Sequence, residues 1–188
     1  MIETTVEDQA LLDALRALQA RLADLKPALL EIGEELQNTT MRRFANGTGP
    51  DGQSWEANAQ ATLVAFFRRK AGIYDKQTGQ RIGDKLPYYA KGGRGRVSAK
   101  GAAVIAGKRP LLGESLALSG GIDYHVEGNT LVVGSPMEYA AMQQFGGKKG
   151  DFPHLWGDIP ARPFLGVSAE DEQAILAVLR RHLLSAVE

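Results

Sequence analysis

The segment at residues 159–166 reads Ile-Pro-Ala-Arg-Pro-Phe-Leu-Gly, and it restricts the possible folds more than any other stretch of the chain. Each proline fixes its own φ, lacks a backbone N–H donor and pushes the preceding residue toward extended geometry. Regular helix is therefore excluded, and the pattern predicts a stiff extended strap or an edge strand. The planar guanidinium of Arg162 is suited to bidentate contact with a carboxylate, either Glu138 or one on a neighbouring molecule. Phe164 and Leu165 are expected to fill the core beneath the helix that follows.

The N-terminal segment carries a heptad pattern of apolar residues, with alternating spacings of four and three. Its members are Leu11, Leu15, Leu18, Leu22, Leu25, Leu29, Ile32 and Leu36. Because Pro27 interrupts the pattern, we predict one helix from about Val6 to Leu25 and a second from about Pro27 to Phe44. The apolar seam packs either on its own domain or on a neighbouring subunit. In the second case the candidate contacts are Leu15, Leu18 and Leu22.

Charge is unevenly distributed along a chain whose formal net charge is zero. Residues 68–109 contain twelve lysines and arginines but two acids, which gives this segment +10 and the rest of the chain −10. The part at 71–109 is rich in glycine and is predicted to be an extended basic loop. It either docks on an acidic partner, lies in solvent or contacts DNA. The candidate contact residues are Arg81, Lys85, Lys91, Arg94, Arg96, Lys100, Lys108 and Arg109.

The second half of the chain alternates between strand and helix signals. Apolar and polar residues alternate on both sides of Gly128-Asn129, which predicts a β-hairpin. Ser135 is predicted to cap a helix that runs to about Phe145. Ser168 and Asp171 predict the start of a final helix. The expected apolar face of that helix comprises Ile175, Leu176, Val178, Leu179, Leu183 and Leu184.

These signals predict a fold of the α+β class. With a further helix expected at 58–70, the order is three helices, the basic loop, and then β-β-α-β-α. We expect a small, mostly antiparallel sheet packed by helices, with long N-terminal helices and the extended basic loop. A single domain over residues 1–188 is expected, with an N-terminal helical segment at 1–46, the loop at 71–109 and an α+β core at 110–188.

No sequence pattern here is typical of an enzyme or of a cofactor site. The GxGxxG match at residues 47–52 follows a predicted helix rather than a strand, and Pro50 removes a donor that a phosphate would need. The chain has no cysteine. His154 with Asp158 has the minimum for a general base or a metal ligand, as in a small hydrolase, but it is interpreted as a surface-loop histidine. No apolar run approaches the roughly 20 residues of a membrane span, and the acidic N-terminus lacks a signal-peptide pattern. We predict no catalysis, no cofactor, no metal and no membrane contact.

Four sequence features, in a fixed order, together resemble the phage virion morphogenesis family. They are Phe44, the turn Pro50-Asp-Gly-Gln-Ser-Trp55, the run Tyr139-Ala-Ala-Met-Gln-Gln-Phe145-Gly-Gly147, and the strap at 159–166. The resemblance covers roughly residues 28–185. It implies a structural protein of the neck or tail end of a virion, which acts in tail completion or head–tail joining and resides in the host cytoplasm during assembly. Whether such a protein is a tail terminator or a head-closure protein stays open.

Rings of identical subunits are the expected form at such a position, because one heterologous interface can repeat and close. A hexamer is one such ring, and other neck or tail proteins are the expected partners. The candidate contact residues are Trp55, Tyr139, Gln143, Phe145, Arg162 and Phe164, together with the N-terminal leucines. The aromatic members are expected to be core residues first and interface residues second. The alternative function is a DNA-binding module that uses residues 68–109.

Overall fold

The computed structural model describes residues 9–59, 62–63, 66, 103, 106–113, 115–155 and 157–185. Five helices and one two-stranded antiparallel sheet have both of their ends within these residues. In chain order the elements are α1 (Gln9–Ala23), α2 (Lys26–Asn46), α3 (Ala117–Gly120), β1 (Asp123–Glu127), β2 (Thr130–Gly134), α4 (Ala140–Phe145) and α5 (Ala169–Leu184). The predicted α+β class with long N-terminal helices is confirmed. The division of the chain into 1–46, 71–109 and 110–188 stays a prediction.

The predicted break between two N-terminal helices lies where Pro27 places it. Pro27 occupies the first turn of α2, where a backbone N–H would have no intrahelical acceptor. The helix ends because Gly47 adopts a left-handed φ of 73° and donates its N–H to the Arg43 carbonyl at 2.7 Å. The turn that follows, at Pro50–Gly52, is closed by an isolated bridge between Thr48 and Ser54.

The predicted hairpin forms around Gly128-Asn129 and packs on α2. Glu127 pairs with Thr130 across the two-residue turn, in which Gly128 has a φ of 58°. Polar residues of β1 are exposed while Tyr124 is half-buried, as the alternation predicts. The Gln37 side chain donates from Nε2 to the Ile122 carbonyl at 2.6 Å, which ties α2 to the start of the hairpin.

Gly33 is explained by the close approach of the hairpin to α2. Glycine inside a helix is usually unfavourable by about 0.5–1 kcal/mol relative to alanine, but a Cβ at Gly33 would lie closer than 3.0 Å to the Tyr124 ring. We therefore expect Gly33→Ala to lower the free energy of unfolding by about 1–3 kcal/mol, since the hairpin must shift. Urea denaturation followed by circular dichroism measures this. Gly120→Ala is the control, because nothing lies within 4 Å of an added Cβ there, and equal losses in both variants would contradict the prediction.

Two clusters of buried side chains form the core, and α2 contributes to both. The first cluster comprises Phe44, Trp55, Leu118, Ile122, Ala140 and Phe164. The second joins α2 to α5 through Ala28, Ile32 and Val178. Because α2 contacts the hairpin and α5 as well as both clusters, it is the central element of the fold.

The final helix begins with the predicted capping box. The Ser168 hydroxyl accepts a hydrogen bond from the Asp171 N–H at 3.2 Å, and the Asp171 carboxylate accepts from the Ser168 N–H at 2.8 Å. The apolar face of α5 is narrower than predicted. Leu176 and Leu184 are exposed, since they lie away from the side on which Val178 packs against α2.

Two predictions for the second half of the chain are wrong. Residues 159–166 form no strand, so the edge-strand alternative is wrong; Ile159 makes an isolated bridge with Gly147, the prolines beyond it cannot donate to a ladder, and the chain bends at 165–166. The third predicted strand is therefore absent. The helix predicted from Ser135 begins only at Ala140. The Ser135 hydroxyl accepts a long 3.4 Å bond from the Met137 N–H, a local turn that competes with helix formation.

The predicted helix at 58–70 and loop at 71–109 can be compared only in part. Residues 62, 63 and 66 are helical and residues 58–59 are not, while 60–61, 64–65 and 67–70 lie outside the described residues. Of the loop, 71–102 and 104–105 also lie outside them. The loop prediction is wrong at Ala103 and Ala106, which are helical; the Gly107 N–H donates to the Ala103 carbonyl at 3.0 Å. Alanine has the highest helix propensity, which the glycine-based prediction overlooked.

Candidate functional site

The strap at 159–166 is held to its surroundings by the side chain of Arg162. This side chain is 6% exposed, and it donates from Nε to the Glu56 carbonyl at 2.8 Å and from Nη2 to the Ala57 carbonyl at 3.0 Å. Burial lowers the pKa of the guanidinium, and the nearby Glu56 carboxylate partly offsets this. The predicted carboxylate contact is therefore wrong within this chain. Two backbone carbonyls, which have no partner in a ladder, take its place.

Further hydrogen bonds join the strap to α4 and to Trp55. The indole Nε1 of Trp55 donates to the Pro163 carbonyl at 2.8 Å. The Gln144 side-chain oxygen accepts from the N–H groups of Phe164 and Leu165 at 2.9 and 3.0 Å, and its nitrogen donates to the Leu165 carbonyl at 2.9 Å. Side chains thus satisfy the backbone groups of a segment whose prolines prevent regular pairing.

The C-terminal end of the strap is fixed by a buried ion pair. Arg43 of α2 donates from Nη1 to the carbonyls of Phe164 at 3.1 Å and Gly166 at 2.8 Å. Its Nη2 donates to the Asp171 carboxylate, in a pair whose side chains are 8% and 1% exposed. One arginine therefore connects α2, the strap and the first turn of α5. We call this arrangement of Arg43, Phe164, Gly166 and Asp171 the arginine clamp.

The Asp171 carboxylate makes stability depend on pH in the acid range. Burial acts to raise its pKa, but hydrogen bonds from Ser168 and the charge of Arg43 outweigh burial and hold the pKa below its usual value. A carboxylate whose pKa is depressed in the folded state contributes stability above its unfolded pKa of about 3.9. That stability is lost as pH falls through the folded pKa.

Asp171→Asn should therefore reduce stability most at neutral pH. We expect the difference in free energy of unfolding from wild type to be constant between about pH 5 and 7, and to shrink below about pH 4. Urea denaturation at a series of pH values measures it, with Glu172→Gln as a control at an exposed position in the same helical turn. If the free energy of unfolding changed with pH in the same way in wild type and Asp171→Asn, the Asp171 carboxylate would not be a source of the loss of stability in acid.

The predicted contact residues separate into a buried and an exposed group. Trp55, Arg162 and Phe164 are 8%, 6% and 0% exposed and belong to the interior. Tyr139 and Phe145 are 48% and 77% exposed, so the expectation that they are core residues first is wrong. Tyr139 directly precedes the short helix α4 and Phe145 is its last residue, while the buried side of this helix is taken by Ala140. That these residues contact a partner stays a prediction, and the exposed Tyr139 and Phe145 are accessible for such a contact.

Tyr139 and Gln143 line an apolar cavity of about 290 Å³. The cavity lies between α3, the segment at 111–113 and the residues around Asn58, and its walls include Leu111, Leu112, Ala117 and Leu118. A second cavity, of about 600 Å³, lies on the other side of α4 and is lined by Phe145, Phe152 and the strap residues 159–161. No residue lines both cavities. Helix α4 therefore separates two concave surfaces.

The N-terminal leucine seam is largely open to solvent along α1. None of the fifteen residues of α1, all of which the structure describes, is fully buried. Leu15 and Leu22 are 52% and 55% exposed, and Leu18 is half-buried. The imidazole of His182 on α5 lies 3.0 Å from the Asp24 carbonyl, next to the end of α1. The seam becomes core only in α2, where Ile32 is buried.

Most of the predicted basic contact residues lie outside the described part of the chain. These are Arg81, Lys85, Lys91, Arg94, Arg96 and Lys100. Lys108 donates to the Leu112 carbonyl and lies 5.2 Å from the centre of the Phe66 ring. Arg109 donates to the Ala45 carbonyl at 2.5 Å. The two described members are thus tied to the chain's own carbonyls.

The histidines do not form a metal or catalytic cluster in the part of the chain that is described. No group of three His, Cys, Asp or Glu side chains suited to a metal ion occurs there. His154 is exposed and contacts the Phe152 ring at 6.2 Å between centroids, while Asp158 accepts from the Lys149 N–H. His125 is exposed beside Glu127. No helix in the described ranges is both long and apolar enough to cross a membrane.

Sequence reasoning missed Arg43 and Gln144, which hold the strap. Their partners lie 128 and 20 residues away, at Asp171 and Phe164. For Arg43 one signal was present. It falls on the buried face of α2, three residues before the helix ends, where a charged side chain requires a partner.

Comparison with known proteins identifies the family of the chain. The phage virion morphogenesis family matches residues 6–82 and 114–184, which include the strap and the arginine clamp. The putative capsid assembly protein G of Escherichia phage Mu is 34% identical over 76 residues, 40% of this chain and 44% of that protein, so the match spans less than half of the relative. No solved structure matches the chain. Because the family match covers well over half of its length, the chain belongs to the phage virion morphogenesis family.

Proposed function

We propose that the protein is a structural component of the phage neck or tail end and acts in tail completion or head–tail joining. Its family supports a structural or assembly role in the phage. We propose that it works by association of subunits, without catalysis, within the virion. During assembly it would be present in the host cytoplasm.

The observation that carries this proposal is the open leucine seam of α1. The seam residues Leu11, Leu15 and Leu22 are each 52–55% exposed, and Leu12 beside them is 45% exposed, on a helix that has no fully buried residue. Apolar surface left in water costs about 25 cal/mol per Å² relative to its burial. Contiguous apolar patches on a folded protein mark contact sites for other proteins. A helix of this kind is suited to packing in an assembly.

A phage from which this gene has been deleted tests the proposal. Particles that accumulate after induction would be imaged by electron microscopy, with a plasmid copy of the wild-type gene as the positive control. We expect filled heads and separate or abnormal tails, and restoration of infectious particles by the plasmid. Normal, infectious virions in the absence of the protein would overturn the proposed role.

The same images distinguish the two positions that we propose. Free heads beside free tails of normal length indicate a joining role, because each part is complete but they do not meet. Tails of variable or excessive length indicate a tail-end role, because growth is not terminated.

Two rescue plasmids, one with Leu15→Ser and one with Glu34→Ser, form a matched pair. Both residues are exposed on the N-terminal helices, but only Leu15 is in the seam. Only Leu15→Ser should impair rescue.

A second candidate function is DNA contact by residues 68–109. The observation that favours it is the formal charge of +10 on this segment. Binding through phosphates would be independent of sequence, and its log affinity would fall linearly with log salt at a slope of about −0.9 per phosphate contacted. Fluorescence anisotropy with duplex DNA at several salt concentrations measures the slope. A variant with Arg94, Arg96 and Lys100 changed to glutamine should flatten it, and an unchanged slope would exclude this segment.

A further inference from the structure

We infer that Phe145 of one copy of the chain inserts into the apolar cavity beside Tyr139 of a second copy, and that this contact repeats around a closed ring. The inference rests on the proposed function, since it assumes assembly of subunits. It adds the surfaces involved and names the partner as another molecule of the same chain.

Phe145 projects from a rigid base. It is the last residue of α4 and, with 77% of its surface exposed, it is the most exposed large apolar side chain of the described residues. The next residue, Gly146, has a φ of 73°, and a Cβ there would lie 2.8 Å from backbone atoms of Ile159 and Ala161. The strap is thus packed directly behind the phenylalanine. The backbone that carries Phe145 is therefore fixed, and an aromatic side chain with two rotatable bonds loses little conformational entropy when it binds.

The cavity beside Tyr139 has the size and character to hold a phenyl ring. It measures about 290 Å³, and its walls include Leu111, Leu112, Ala117 and Leu118. An apolar cavity of about 150 Å³ is enough to bind benzene. Polar residues such as Asn58, Ser115 and Gln143 also line it, and no side chain in the described part of the chain fills it, so an apolar side chain from outside can enter.

Backbone strain is concentrated at the same cavity. Leu111 and Leu116 have φ values of 60° and 53°, and they are the two non-glycine residues with positive φ in the described part of the chain. Leu111 lines the cavity, and Leu116 lies between its lining residues Ser115 and Ala117 with 52% of its surface exposed. Strained residues of this kind cluster at binding sites, where the conformation serves contact rather than stability.

The positions of Phe145 and the cavity on one molecule require a head-to-tail contact. Gln143 lines the cavity, whereas Phe145 lies two residues later and borders the other concave surface. Two residues correspond to about 200° around a helix, so the two features face opposite directions. A copy that inserts Phe145 into one neighbour therefore offers its own cavity to another. Such heterologous contacts form a ring when the rotation between copies closes.

Charge around the two features is complementary. The surface beside Phe145 carries the exposed carboxylates of Glu56, Asp151 and Asp158 and the two exposed lysines Lys148 and Lys149, so its net charge is negative. The surface around the cavity carries Lys108, and Arg109 follows it directly. An acidic surface therefore meets a basic one when Phe145 enters the cavity. This complementarity disfavours contact between two identical faces and selects the head-to-tail arrangement.

The test uses full-length variants that each remove one half of the contact. Phe145→Ser removes the inserting side chain, and Ser115→Trp fills the cavity from an exposed position on its wall. Gln143→Trp is a second blocking variant in case Ser115→Trp does not fold, as judged by circular dichroism. Val167→Ser is the control, since Val167 is 55% exposed and lines neither cavity.

Sedimentation velocity gives the mass of each variant and of their mixtures. We expect wild type and Val167→Ser to form one closed species, and Phe145→Ser and Ser115→Trp to lose association by roughly 30-fold or more, as for an aromatic hot spot. An equal mixture of these two variants has one intact contact per pair. It should therefore form a dimer near twice 20.3 kDa and nothing larger.

Several outcomes would overturn the inference. For the variants, these are a closed ring formed by Phe145→Ser, or a mixture of the two folded variants that stays monomeric. For the wild-type protein, they are aggregates that grow without limit, or a monomer at every concentration. None of these depends on the deletion phage, whose particle defect tests the proposed function by itself. If the deletion phage had a tail defect while purified Phe145→Ser still formed rings, the proposed function would stand and this contact would be rejected.

Leu116→Asn provides an independent readout of the strained loop. Asparagine tolerates a left-handed backbone better than leucine does, so the melting temperature of the chain should rise. The same change removes an exposed apolar group beside the cavity, and association should weaken. Higher thermal stability with undiminished association would place Leu116 outside the contact and contradict the role given to the strain.

Discussion

Arg43→Met should lower the free energy of unfolding by about 3–5 kcal/mol, the cost of leaving one partner of a buried ion pair alone. The Asp171 side chain is 1% exposed and would lose the cation that compensates its charge. The carbonyls of Phe164 and Gly166 would also lose their donors. Since proteins of this size are stable by roughly 5–15 kcal/mol, the loss is a large share of the total. Urea denaturation at pH 7, followed by circular dichroism, measures it.

Arg42→Met is the matched control for this substitution. Arg42 precedes Arg43 in α2 and pairs with Glu35 at 3.0 Å, but its side chain is 65% exposed. Exposed pairs contribute about 0–1 kcal/mol. The same chemical change one residue earlier should therefore have little effect. Losses of similar size in both variants would mean that the arginine clamp does not hold the strap.

Phe164→Ala should cost about 3–5 kcal/mol, the usual range for removing a buried phenylalanine. The Phe164 side chain is fully buried, and its ring centroid lies 5.2 Å from that of Phe44. Its backbone is held by Gln144 on one side and by Arg43 on the other. Because the strap cannot move inward to fill the space, the cavity left behind should persist. The same denaturation assay, with the midpoint and slope fitted separately, gives the loss.

Phe152→Ala supplies the comparison for Phe164→Ala. Phe152 is 40% exposed and lies outside both core clusters. We expect a loss of about 1 kcal/mol or less, because much of its surface already contacts water. If the two variants lost equal stability, the strap would have no special part in the core, and the role assigned to the segment at 159–166 would be wrong.

Local chemistry made much of the fold predictable. Pro27 marks the break between α1 and α2, Gly128-Asn129 marks the hairpin turn, and Ser168 with Asp171 marks the start of α5. In each case the residues that determine the backbone geometry are neighbours in sequence. A single sequence is sufficient to identify such features.

The contacts that hold the strap could not be predicted in the same way. Arg162 was expected to find a carboxylate, but its partners are carbonyls 105 and 106 residues away. Backbone carbonyls have no signature in the sequence, and only the three-dimensional path of the chain brings residues 56–57 to the strap. The pairing of Arg43 with Asp171 could not be predicted either, because only the folded chain brings the two residues together. The capping role of Asp171 could be predicted, because Ser168 is its neighbour in sequence.

The exposed aromatic residues show a different limit. Tyr139 and Phe145 were expected in the core because large aromatic side chains are usually buried. In the isolated chain they are exposed, which is understandable if a partner covers them. A sequence pattern does not distinguish a residue buried in its own fold from one buried in an assembly. The leucines of α1 carry the same ambiguity, since a heptad pattern describes both kinds of packing.

The interior and the proposed contact surface are connected through the strap. Arg162, Gln144 and the arginine clamp fix the strap, and Gly146 packs against it directly before Phe145 projects into solvent. Variants that loosen the clamp should therefore weaken association as well as stability. Phe145→Ser should weaken association alone.

The most direct test of self-assembly as the mode of action is the solution mass of the wild-type chain, measured by light scattering across protein and salt concentration. We predict a single closed species at an integral multiple of 20.3 kDa, near six times that mass if the ring is a hexamer. A mass of 20.3 kDa at every concentration would contradict the account, because the exposed leucines and Phe145 would then have no partner in a second copy.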